Sequence, residues 1–329
     1  MKILFLLTTC VLIVPVQAQY GGGTGELNNP YLIFTAEQMN AIGTEPNDWD
    51  KHFKLMADID LNDYTGTDFN IIGTTYGRAF AGIFDGNGHK ISNFTYVSTE
   101  ERPVGLFGRV GYGGKIKDLG LSDPNIVAES STGVGALVGW LAGGSLSSCY
   151  VQDGKVMGYD SVGGLVGDNG GTVNNCCSTA NVSGNNRVGG LVGANWMSSF
   201  YGVGIISNCY AAGNVMGSTD IGGLIGFNIS IIRNSFWDFE TSSLNKMCGS
   251  QDFPGEGCNN ANGKTTAEMQ MENTFTDAGW DFVEIWGIGE NQTYPYLRLY
   301  PAGDLNHDGR VDFLDLFELA AHWLEDNSL

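Results

Sequence analysis

"VGGLVGDN" occupies residues 162–169, "VGGLVGAN" residues 188–195 and "IGGLIGFN" residues 221–228. A phosphate-binding loop is needed once, so three copies point away from nucleotide chemistry. Neither G-x-x-x-x-G-K-[ST] nor a G-x-G-x-x-G opening a helix is present. A further copy, "VGALVG", starts at 134, and looser ones, "VGLFG" and "AGIFDG", start at 104 and 81. Each phrase is followed by an aliphatic residue with a small or apolar partner three positions on. The pairs are Ile91/Phe94, Ile116/Leu119, Leu146/Cys149, Val173/Cys176, Ile206/Cys209 and Ile232/Ser235. A third short signal follows, with Val156, Val182 and Val215 at its centre and Ile126 as a weaker member.

Successive leaders of the second signal lie 25, 30, 27, 33 and 26 residues apart. Periods of this size mark stacked repeats. Each unit holds three β-prone pieces separated by Gly, Asn, Ser and Asp, with no helix-length apolar period between them. Three strands and three bends per turn describe an all-β, right-handed parallel β-helix, a solenoid. One rung cannot bury its inward face alone, so like residues must lie over like, about 4.8 Å apart. Val134, Val162, Val188 and Ile221 are expected in one interior column, and Leu137, Leu165, Leu191 and Leu224 in another. The paired glycines are expected where the wall bends, or where φ is positive and a Cβ would clash. Asn169, Asn195 and Asn228 are expected at corners, in left-handed geometry and bonded to the next rung.

The chain carries 49 glycines and a formal net charge of −20 in 329 residues. Its 42% hydrophobic and 11% aromatic content excludes disorder. The acidity argues against nucleic acid, whose phosphates attract Lys and Arg. Residues 1–18 read as a secretory signal: Lys2, then the apolar run Ile3 to Val16, then cleavage near Ala18. Nothing else approaches the ~20 apolar residues of a membrane span, so the expected location is extracellular or at the cell surface. Export permits disulfides, and Cys248 and Cys258, bracketing "CGSQDFPGEGC", are the expected pair. Cys149, Cys176 and Cys209 fall in one repeat column as small apolar fillers. Of the adjacent Cys176 and Cys177, one side chain should point in and the other out.

Both flanks read as caps. In residues 19–78, Thr35 and Gln38 have capping-box spacing ahead of a short helix, and "HFKLMADIDL" reads as a strand. Residues 58–69 begin like a calcium loop, but Asp63 stands where Gly is needed and Phe69 where an acid is needed, so a strand is the better reading. In residues 238–300, Thr265 and Glu268 match a second capping box. Trp280, Trp286, Tyr294 and Tyr296 fit a sugar-stacking platform or a seal for the solenoid end, and sealing is preferred.

The tail, residues 301–329, carries the sharpest chemistry. "DLNHDGRVDFLD" places Asp304, Asn306, Asp308, Asp312 and Asp315 at positions 1, 3, 5, 9 and 12. Gly309 sits at the sharp turn and the Arg310 carbonyl at position 7. This is the oxygen set a Ca2+ ion requires. A small EF-hand-like loop–helix follows, with Leu316, Leu319, Ala320 and Trp323 on one face.

The repeated "VGGLVG" resembles the GLUG motif of secreted bacterial surface proteins, and "FAGIFDGNGHKISNF" and "NSFWDFETSS…GKTTAEMQ" are similar to sequences that flank it. The resemblance covers most of residues 24–300, with the repeats themselves at 79–237. It implies an adhesin-like protein or a non-catalytic part of a larger extracellular enzyme. "GDLNHDGRVDFLDLFELAAHWLE" is similar to one half of a type I dockerin; the second loop–helix copy of that family is absent. The resemblance implies calcium at the positions named above and attachment to a cohesin-like or envelope protein.

No carboxylate pair of glycosidase type, no grouped histidines and no G-x-S-x-G elbow are visible between residues 130 and 236. The expectation is therefore a non-catalytic solenoid that binds a glycan or cell surface. Its rivals are a polysaccharide lyase or hydrolase, or a component of a polysaccharide-degrading assembly, with acids and bases clustered in a groove. A purely structural envelope protein is a third class.

Overall fold

A computed structural model describes residues 19–74, 77–198, 202–252, 256–299 and 313–317. The proposed signal segment and most of the tail lie outside the described residues. The chain is a parallel β-solenoid of about seven turns, built on three sheets of 14, 6 and 7 strands.

The first wall begins with Tyr31–Ile33 pairing in parallel with Phe53–Leu55, which pairs with Ile83–Asp85. It continues through Lys115–Ser122, Ser145–Gln152 and their successors to Gly263–Lys264. The second wall runs from Phe107–Val110 to Cys248–Gln251, and the third from Thr95–Val97 to Thr219–Gly222. The valine column runs through the third wall: Val134 opposes Val162, Val162 opposes Val188, and Val188 opposes Ile221. The leucine column lies at the corner between the third and second walls. There the Leu137 amide donates to Leu165 O, Leu165 to Leu191 O and Leu191 to Leu224 O, at 2.9–3.1 Å. All four leucines are fully buried.

The paired glycines lie where the third wall bends into the second, as expected, but two conformational details require correction. None of the paired glycines has positive φ. They are required by close approach: a Cβ on Gly163, Gly189 or Gly222 would run into the carbonyl oxygen of Val166, Val192 or Ile225. Nor are Asn169, Asn195 and Asn228 left-handed. They end strands of the second wall, fully buried, and stack as an amide ladder. Asn169 Nδ2 donates to Asn195 Oδ1 at 2.7 Å, and Asn195 Nδ2 to Asn228 Oδ1 at 2.9 Å. An amide carries both donors and acceptors, so a column of them satisfies itself in a dry interior. The left-handed corners belong to other columns. Asp118, Ser148, Asn175, Asn208 and Asn234 form one on the first wall; Gly133, Ser161, Arg187 and Asp220 form another on the third.

The N-terminal segment supplies strands to the first wall and inserts the helix Ala36–Thr44, whose Met39 and Ile42 enter the main core. Thr35 caps this helix by accepting from the Gln38 amide. The Gln38 side chain reaches one residue further back than a capping box, to the Phe34 amide at 2.7 Å. At the other end Leu244, Met247 and Cys248 pack onto the last rung, and Cys248 is bonded to Cys258.

Candidate functional site

On the first wall, side chains alternate between the core and the outside. Val151, Ser178, Ala211 and Trp237 oppose one another in register and point inward. Their neighbours Tyr150, Cys177, Tyr210 and Phe236 form the outward column. That column is the floor of a second hydrophobic cluster, separate from the core, whose roof is Phe275, Trp280, Trp286 and Tyr294. The aromatic stretch therefore seals the flank of the solenoid. The expectation that it would close the end is overturned, because these rings pack on the outward column of the first wall and not on the interior core. The expectation for Cys176 and Cys177 holds in direction: Cys176 lies in the core and Cys177 in the outer cluster, both buried.

The roof is fixed by specific geometry. The rings of Trp280 and Trp286 lie 4.6 Å apart and those of Phe275 and Trp280 4.8 Å apart. Tyr294 stacks on Tyr210 at 6.1 Å and 21°. The Tyr210 hydroxyl donates to Pro295 O at 2.7 Å, and the Trp280 indole to Asn234 O at 2.8 Å. Asp238 is the anchor. One of its oxygens caps the short helix Phe239–Ser242, and the other accepts from the Tyr294 and Thr266 hydroxyls at 2.7 and 2.6 Å. Burial, and then the Asp238 carboxylate, push the Tyr294 phenol up.

Beyond Tyr294 the chain, residues 294–299, lies along the wall as a strap. Between strap and wall is a cavity of about 640 Å³. Tyr150, Tyr294 and Tyr296 supply aromatic faces, and Gln152, Asp153 and Thr179 supply polar groups from the wall's outward turn. Tyr296 is half exposed. Burial pushes the Tyr150 phenol up to about 12, and the Cys177 thiol, on the cavity floor, to about 12 as well. These groups stay neutral at ordinary pH, so the cavity offers ring faces and hydrogen bonds and no thiolate nucleophile.

A second cluster was missed from sequence. Asp160 and Arg187 form an ion pair with the Arg187 Nε 2.7 Å from Asp160 Oδ1. The Arg187 guanidinium lies 5.2 Å from the ring centre of Trp196, whose indole donates to Asp168 Oδ1 at 2.7 Å. Burial pushes Asp168 up to about 6, against the pull of Trp196, Ser161 and Arg187. These residues are scattered in the chain because the contact crosses rungs. A signal was present all the same: Asp160 immediately precedes the left-handed corner in one copy, and Arg187 is that corner in the next.

Asp304, Asn306, Asp308, Arg310 and Asp312 lie outside the described residues. Asp315 falls in the helical stretch 313–317 and is 4% exposed, whereas its neighbours Phe313 and Phe317 are 77% and 70% exposed.

Residues 184–216 match the family model described as the GLUG motif. The chain carries a GLUG motif. That match includes "VGGLVGAN" and the Val215 signal, so the GLUG repeat corresponds to a full turn of the solenoid. A "Putative Gly-rich membrane protein" of Evansella cellulosilytica is 37% identical over 196 residues, which is 56% of this chain and 22% of that protein. "Halomucin" of Haloquadratum walsbyi is 31% identical over 178 residues, 53% of this chain and 2% of that protein. The GLUG-bearing chain thus matches at most about a fifth of the length of these relatives. A crystal structure described as "a putative immunoglobulin A1 protease from Bacteroides ovatus" shares the fold, with a TM-score of 0.60 and 23% identity. The likeness covers 85% of this chain and 95% of that one.

Proposed function

We propose that the chain is an exported, non-catalytic, adhesin-like GLUG solenoid that binds glycans in the groove beneath the strap. The observation that carries this reading is the cavity of about 640 Å³ in which tyrosine faces stand beside amide and hydroxyl groups. Pyranose rings present apolar C–H faces and a rim of hydroxyls, and such a groove matches both. Names such as Gly-rich membrane protein and halomucin among the relatives support a surface location. Among the described residues no helix is long and apolar enough to cross a membrane. On a glycan array the intact chain should retain a defined subset of saccharides. Tyr296→Ala should weaken that binding roughly tenfold, the loss of one stacking partner of about 1–1.5 kcal/mol. Unchanged binding would remove the groove from the reading.

In the same proposal the tail holds Ca2+ through Asp304, Asn306, Asp308, Asp312 and Asp315 with the Arg310 carbonyl, and attaches the solenoid to a cohesin-like or envelope partner. The burial of Asp315, beside exposed Phe313 and Phe317, supports a role for this carboxylate beyond that of a solvated turn. Calorimetry should show one Ca2+ site that Asp304→Ala and Asp308→Ala each abolish; equal affinity in both would eliminate it.

A second reading, a polysaccharide lyase or hydrolase, draws on Asp160, Asp168 and Arg187. It requires release of new sugar ends from a polymer, lost in Asp168→Asn. No release at any pH between 4 and 8 would dismiss it.

A further inference from the structure

The groove does not stop at the tyrosines. A second cavity, of about 320 Å³, shares Gly88 and Leu299 with the first and extends it toward the N-terminal rungs. Its floor is the outward column Lys54, Asp85 and Lys117, in register on successive strands. Lys117 Nζ is held by Asp85 and Asp118, both at 2.8 Å. Lys54 and Arg298 are different: among the described residues neither forms an ion pair with a carboxylate. Arg298, carried on the strap, is positioned by carbonyls instead, with Nε donating to Trp286 O at 2.8 Å. The chain has 36 acidic and 16 basic residues. Lys54 and Arg298 line the cavity beside Asp85 and Asp118, but both acids are engaged by Lys117, and two cations left without a carboxylate run against the chain's acidic excess.

We infer that the groove takes an elongated acidic polysaccharide, with pyranose rings against Tyr150 and Tyr296 and a carboxylate at Lys54 and Arg298. The inference rests on the glycan-binding reading and adds ligand charge, length and direction to it. From the strand of Tyr150 to that of Lys54 the groove crosses three strand intervals, about 14 Å at ~4.8 Å each. A single sugar cannot bridge that length; an oligomer can. The carboxylate end is selective because a charge-assisted bond is made only with an ionised ligand, and it weakens with salt.

The test titrates the full-length protein with hexagalacturonate and with its carboxyl-reduced, neutral counterpart. The acidic oligomer should bind at least tenfold more tightly at low salt, and the margin should shrink as salt rises. Lys54→Gln should abolish the margin while leaving affinity for the neutral oligomer intact, and Lys54→Glu should reverse it. Tyr296→Ala should weaken both ligands. Equal affinity for the two oligomers in the native protein, or a margin that survives both Lys54 variants, would overturn the inference while leaving a neutral glycan groove in place. Failure of both oligomers to bind would overturn the groove reading with it.

Discussion

Arg187 and Asp168 show how one residue's strain or burial is met by a neighbour on another rung. Arg187 has φ +51°, a region that side chains other than Gly, Asn and Asp seldom occupy. Its bonds to Asp160 and its place beside Trp196 hold it there. Asp168 titrates near 6 instead of its ordinary 3.8, chiefly because of burial. An acid with a raised native pKa holds its proton more tightly when folded. Between pH 3.8 and about 6 the folded chain therefore binds more protons than the unfolded one, and the contribution of Asp168 to stability falls as pH rises. Asp168→Asn keeps an acceptor for Trp196 and removes that dependence. Urea titrations across this window should show the variant gaining stability relative to the native protein as pH rises. A difference that does not vary with pH would mean that Asp168 titrates normally.

Among the structural elements, the ladders are what the repeats specify most directly. Asn195 is the middle of the amide column, and replacing it by Ala leaves the Asn169 donor and an Asn228 acceptor without their partner in a buried site. Asn195→Ala should cost about 2–3 kcal/mol in denaturant unfolding, whereas the same change at exposed Asn62, which is not left-handed, should cost next to nothing. Much of this level was legible in the sequence. The Val and Leu columns follow from position within the repeat, because stacking forces equivalent residues into register. The left-handed corners were not, because Asp118, Ser148 and Asn175 share no single residue type; what they share is a backbone angle. The Asp160–Arg187 contact was hidden for a related reason. It is fixed by the three-dimensional rung offset, and rungs of unequal length obscure that offset in a linear reading.

At the scale of the whole molecule, the solenoid proper was legible and its lateral armour was not. The segment 266–299 has no period, so nothing in its sequence says which face it covers. That depends on the outward column Tyr150, Cys177, Tyr210 and Phe236, which alternation hides behind the inward one. Trp280 is the centre of the contact, touching Tyr210, Phe236, Phe275 and Trp286. Trp280→Ala should cost about 3–5 kcal/mol of packing, concentrated in that segment. Hydrogen exchange should accelerate across 266–299 while the strands of the second and third walls stay protected. Uniform acceleration would mean that flank and solenoid unfold as one unit. The candidate groove shares this history: its floor was written in the repeats and its lip in the aperiodic segment, so neither half alone announced it.

Cys149, Cys176 and Cys209 are free thiols sealed in the interior, and burial raises the first two far above their ordinary range. Once the coil has wound, no oxidant can reach these sulfurs. Cys248 and Cys258 sit at the margin, where a thiol catalyst still has access. In an oxidising compartment, correct pairing is then a race between winding and oxidation. A chain delayed in winding would show its failure as scrambled crosslinks within the column.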